Sequence, residues 1–190
     1  MSDATAAEEG DTDTGTDTSG NGDGDYGGLF GAFPYAFRSS DSTLLRVYVV
    51  TGGLLAALVA VLFGLGAVVS IANSTGLAAG GTDSFVRTFV LLVGFFTILP
   101  LVAPVLLVAR HHRRVGGSVV YDRALAAAGF GVAVALYLML VVSVPPSQQE
   151  PVAGVLGPVV AALYAMPASL AFVPPIAAST FVWLAHRRYR

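Results

Sequence analysis

Residues 47–72 read VYVVTGGLLAALVAVLFGLGAVVSIA, 26 consecutive residues without a charged side chain. At a rise of about 1.5 Å per residue, a helix of that length crosses a hydrocarbon layer of about 30 Å with some tilt. No soluble domain needs so long an uninterrupted apolar run, and Ser40, Asp41, Ser42 and Thr43 stand just before it as candidate caps for its free N–H groups.

Two further stretches share this character. Residues 88–109 are bracketed by Arg87 and Arg110, with Thr82 or Asp83 placed to cap the start. Residues 124–144 follow Asp122 and Arg123 and stop at Pro145 and Pro146, which supply no backbone donor. A fourth apolar segment, residues 152–185, would be about 51 Å long as one straight helix, well beyond the hydrocarbon thickness. Splitting it into two spans around a connecting turn leaves about 16 residues each, short of the minimum of about 17. We therefore expect one kinked crossing, bent by Pro158, Pro167, Pro174 and Pro175, whose first part (residues 152–166) either lies in the interface or belongs to the span. Pro100 and Pro104 are expected to kink the second span. The fold class that follows is all-α, a four-helix transmembrane bundle of residues 44–190 with short loops and antiparallel neighbours.

Composition agrees. The chain has 190 residues, 55% of them apolar and 12% charged, a balance that requires lipid around it. Residues 1–28 hold eight acids and no base, with almost nothing apolar to bury, so they are expected to form a disordered acidic tail. That start has neither the bases nor the short apolar run of a secretory signal, and the tail is expected to be retained. The rest of the chain holds ten arginines against Asp41, Asp83, Asp122 and Glu150, a net charge of +6, and there is no lysine anywhere. This usage resembles that of membrane proteins of extremely halophilic archaea, in which an acidic, lysine-poor surface stays hydrated in strong salt. The resemblance is one of composition, carries no functional residue, and fits a high-GC bacterium as well.

Arginine also sets the orientation. With four crossings both chain ends and the loop between Arg110 and Arg123 share a side, and nine of the ten arginines flank it, leaving Arg87 alone opposite. Basic flanks resist translocation, so the termini are expected in the cytoplasm and the chain in the cell membrane. Residues 29–43, led by the aromatic run Leu29 to Phe37, are too short to span and are expected to rest as an anchor in the interface; the competing reading is a docking motif. Trp183, Tyr189 and Tyr121 are read as interfacial anchors, and Phe95, Phe96 and Tyr137 as buried packing residues.

Chemistry is harder to find. The four apolar stretches contain no Asp, Glu, Lys, Arg or His, the groups a proton pump or ion carrier needs at depth. There is no cysteine, no glycine loop ahead of a lysine and no Ser/His/Asp grouping, so no catalytic, cofactor or metal site is assigned and no nucleic-acid binding is expected. His111 and His112 lack an evident acidic companion and read as a solvated basic flank. Small residues four apart, Gly53 with Ala57, Ala60 with Gly64, Ala127 with Gly131 and Gly129 with Ala133, allow close helix approach, either inside the bundle or in a homo-oligomer. Asn73-Ser74-Thr75 matches a glycosylation acceptor on the outer side.

Three functions are compatible with these features. The leading one is a non-enzymatic membrane protein that acts by helix contacts, as a homo-oligomer or as an accessory subunit of a larger complex. The second is a small channel or permease component, its path lined by carbonyls freed at the prolines and by Thr97, Ser169 and Ser179. The third is an intramembrane enzyme using Asp122 and the neighbouring histidines.

Overall fold

The computed structural model describes residues 28–73 and 81–190. Among them every regular element is helical: α1 (Gly28–Ser39), α2 (Thr43–Asn73), α3 (Gly81–Arg114), α4 (Val119–Val142), α5 (Gly157–Tyr164) and α6 (Val173–Tyr189), with short 3-10 turns at Pro146–Gln148 and Ala168–Phe172. Four stretches, Thr43–Ala72, Thr88–Arg114, Val119–Val142 and Ala168–Tyr189, are long and apolar enough to cross a membrane. The acidic tail, Ser74 and Thr75 of the glycosylation acceptor, and the side chains of Asn73, Thr82, Asp83 and Arg87 lie outside what is described.

The bundle closes around the faces of α2, α3 and α4, which pack pairwise, while α6 docks chiefly on α4 and touches α3 only weakly. Its centre holds Tyr48, Leu101, Val105, Leu125 and Val132, all withdrawn from the surface. In lipid this packing depends on how closely the backbones approach. Gly129 supplies one such approach: a Cβ there would stand 2.2 Å from Tyr48 Cζ, so only a glycine leaves room for the ring. Tyr48 then meets Phe130 edge-on at 5.2 Å and donates its hydroxyl to the Leu101 carbonyl at 2.6 Å. That bond falls between Pro100 and Pro104, in the stretch of α3 where two backbone donors are missing.

The segment read as an interfacial anchor is instead a helix folded into the bundle. Ala32 and Ala36, one turn apart on α1, are fully buried against the core, and Phe33 reaches to 3.1 Å from where a Gly53 Cβ would be. Small residues on one face of α1 make this docking possible. Ser42 provides the cap for α2, its Oγ accepting from the Leu45 amide at 3.3 Å.

The last apolar segment is not one bent helix. It divides into α5, a turn and α6, and Pro167 stands at the break. Pro174 and Pro175 sit in the first turn of α6, where a missing N–H costs no hydrogen bond, so they start a helix and do not kink one. Pro158 likewise opens α5. The stretch long and apolar enough to cross is therefore Ala168–Tyr189, and the residues before it hold the separate short helix α5. Phe95, Phe96 and Tyr137 differ from expectation too: they are about 60% exposed on the outside of the bundle, where apolar rings meet lipid at no cost.

Candidate functional site

The starts of α2 and α4 and the ends of α3 and α6 lie together, and the polar side chains of the bundle gather there. α4 begins at Val119, five residues before the apolar stretch, so Asp122 falls within its first turn, where the helix dipole favours a carboxylate. Gly116, with φ of +105°, makes the tight turn that folds α4 back on α3. The basic last turn of α3 thereby faces the acidic first turn of α4.

Asp122 is 1% exposed and both its oxygens are engaged. Oδ1 lies 2.8 Å from His112 Nε2. Oδ2 accepts the hydroxyl of Ser40, itself fully buried between α1 and α2. Ser40 Oγ accepts in turn from the Ser42 amide at 3.0 Å, and its carbonyl takes the Arg46 Nε–H at 2.9 Å. A buried carboxylate is costly unless its lone pairs are met, and here His112 of α3 and Ser40 of the α1–α2 junction meet them.

A second linkage lies beside the first. The Tyr121 hydroxyl is 2.6 Å from His186 Nδ1 and 3.4 Å from the Leu107 carbonyl, and the Tyr121 ring lies on His111 with centroids 4.2 Å apart. These contacts tie α4 to both α3 and α6. Tyr121, read from sequence as an interfacial anchor, is fully buried, whereas Trp183 and Tyr189 remain exposed.

A second expectation changes as well. His112 does have an acidic companion, ten residues away across the turn. The signal for it was the pair of glycines at 116 and 117, which permits a hairpin that sets one helix end against the next start. Ser40, Tyr121 and His186 could not be found that way, because their partners come from distant parts of the chain. Ser40 donates its hydroxyl to the Asp122 carboxylate and accepts from the Ser42 amide, so both its donor and an acceptor site are engaged. Among the described residues, no three His, Asp or Glu side chains are grouped to hold a metal.

The small-residue pairs divide by use. Gly53 is covered by Phe33 and Gly129 by Tyr48, inside the fold. Ala57, Ala60 and Gly64 are exposed on α2, and Gly131 is exposed on α4 with open space beyond it.

Deeper along the bundle, a cleft of about 690 Å³ opens between α3, α4 and α6. It brings together Thr97 and Pro100 from α3 with Pro175 and Ser179 from α6, four residues of the conduit expected on sequence grounds, while Ser169 stays outside it. The walls are otherwise almost wholly apolar. Thr97, Ser179 and Thr180 donate to the carbonyls of Val93, Pro175 and Ile176 on their own helices at 2.7, 2.7 and 2.9 Å.

Over its whole length, residues 1–190, the sequence matches a family model described as a domain of unknown function, DUF8056. The chain belongs to the DUF8056 family. No curated protein and no solved structure matches it. Within this family member the geometry thus offers two places of interest, a polar knot that fastens four helices and an apolar cleft that opens sideways.

Proposed function

We propose that this chain is a non-enzymatic, multi-pass protein of the cell membrane that works through helix contacts, as a homo-oligomer or as an accessory subunit of a larger membrane complex. Its termini and the turn between α3 and α4 face the cytoplasm. The nine arginines that flank this end, against one at the other, support that orientation. The acidic tail and the absence of lysine support a halophilic-archaeal setting.

The observation that carries the reading is the bare face of α2. In its most apolar 18 residues 11% are buried, against 33% in those of α4, although α2 is the longer helix. The near end of its small-residue stripe, Gly53, is already used by Phe33 of α1. Farther along, Ala57, Ala60 and Gly64 continue the same face with no described residue over them. A partner helix finds there the close approach that drives association in lipid.

Because the chain has no cysteine, single replacements report cleanly. Ala60→Cys should cross-link in native membranes to a second copy or to one co-purifying subunit, and Leu62→Cys, exposed on the far side of the helix, should not. Recovery of monomers alone from both, with no co-purifying partner, ends this reading.

A second reading, a small channel or permease component, is favoured by the meeting of Thr97, Pro100, Pro175 and Ser179 in one cleft. Reconstituted protein that moves no solute across liposomes, over a broad panel, disposes of it.

A further inference from the structure

We propose that the cleft between α3, α4 and α6 holds one hydrocarbon chain of an anionic membrane lipid, with its headgroup seated at Trp183 and Arg187. This goes beyond the helix-contact role, since α2 contributes no residue to the cleft.

Three observations converge on that occupant. The first is shape: from Phe172, just before α6, to Trp183 the cleft runs about 16 Å at helical rise, long enough for an extended chain. It opens sideways, because α3 and α6 barely touch and leave the space between them to the bilayer. The second is chemistry. The three hydroxyls on its walls, Thr97, Ser179 and Thr180, have committed their protons to their own helices, so apart from the Trp183 indole at its end the slot offers a polar solute no free donor, while Phe96, Val132 and Leu136 offer a chain continuous apolar contact.

The third observation sets the polarity of the lipid. Trp183 stands at the end of the slot nearer the arginine-rich end of the bundle, and aromatic rings of this kind settle at headgroup depth. One turn farther on, the Arg187 guanidinium lies over the Trp183 ring at 5.3 Å from its centroid. Among the described residues no carboxylate lies within salt-bridge distance of Arg187. A cation held in place by stacking, at the mouth of an apolar slot, is charge-complementary to a phosphate-bearing headgroup whose tail lies below it.

Trp183 is the single tryptophan in the chain, and this makes the site directly readable. The full-length protein is placed in phosphatidylcholine vesicles containing a minor fraction of chain-brominated lipid, either phosphatidylglycerol or phosphatidylcholine, and quenching of tryptophan fluorescence is followed. The brominated anionic lipid should quench at about fivefold lower mole fraction than the neutral one, the preference expected of one basic side chain at a lipid surface. Arg187→Gln, at an exposed position, should bring the two lipids to near parity without disturbing the fold. Ser179→Phe should fill the slot and reduce quenching by the anionic lipid toward the neutral level, and native mass spectrometry should show the loss of one retained lipid. Equal quenching by both lipids in the unaltered protein overturns the proposal. So does a preference that survives Arg187→Gln, or a Trp183 that neither lipid quenches because a second copy or another helix already fills the slot.

Discussion

His112 and Asp122 stand ten residues apart in the chain, on separate helices, with Nε2 and Oδ1 2.8 Å apart. The contact closes the α3–α4 hairpin at its base. Through the other oxygen of Asp122 it extends to Ser40, which joins α1 to α2, so a single carboxylate fastens the start of the bundle to its middle.

Removing one partner should cost more than the pair contributes on its own, since the remaining group stays buried. Asp122→Ala and His112→Ala are each expected to destabilise the detergent-solubilised protein by about 3–5 kcal/mol. Ser40→Ala should cost about 1.5–3 kcal/mol, the range for a bond to a charged group. The double variant Asp122→Ala/His112→Ala should fall well short of the sum, because the two side chains share one interaction. Denaturant titration followed by far-ultraviolet circular dichroism reads all four, and strictly additive losses would mean that the two side chains do not touch.

Gly129 and Gly131 are two residues apart and have opposite surroundings. A Cβ at Gly129 collides with Tyr48, whereas one at Gly131 meets nothing within 4 Å. Gly129→Ala is therefore expected to cost about 1–3 kcal/mol through overpacking, and Gly131→Ala to be neutral or slightly stabilising through improved helix propensity. The same unfolding measurement checks both, and equal effects at the two positions would contradict the packing described.

The two prolines that open α6 make a different kind of test. Pro174→Ala is expected to change stability by less than about 1 kcal/mol, because a first-turn proline interrupts no helical hydrogen bond. Had Pro174 bent a continuous helix, its replacement would restore a missing bond and stabilise by about 3 kcal/mol. The size of the change in unfolding midpoint separates the two.

The crossing helices were legible because length and freedom from charge decide them locally. For residues 47–72, 88–109 and 124–144 no tertiary information was needed. The last segment misled because prolines inside a helix and prolines at its start look alike in sequence, and only the break at Pro167 tells them apart. The docking of α1 was hidden for another reason: Ala32 and Ala36 become core residues only when α2 and α3 stand beside them. Asp122 was visible as a flank and not as a centre, since a carboxylate at a helix start is ordinarily solvated. Its burial follows from Ser40, 82 residues earlier in the chain, a pairing that no local pattern announces.

Orientation gives the last expected outcome. If the arginine-rich end faces the cytoplasm, Val115→Cys, exposed in the α3–α4 turn, should be protected from a membrane-impermeant thiol reagent added to intact cells, and should react once the membrane is opened. Ser147→Cys, exposed in the turn after α4 at the other end of that helix, should react in intact cells. With no native cysteine there is no background labelling to subtract. The two sites belong to opposite ends of a single crossing helix, so their patterns must be reciprocal. Reversed patterns would invert the topology while leaving the bundle unchanged. Equal labelling at both sites would mean that α4 does not cross the membrane.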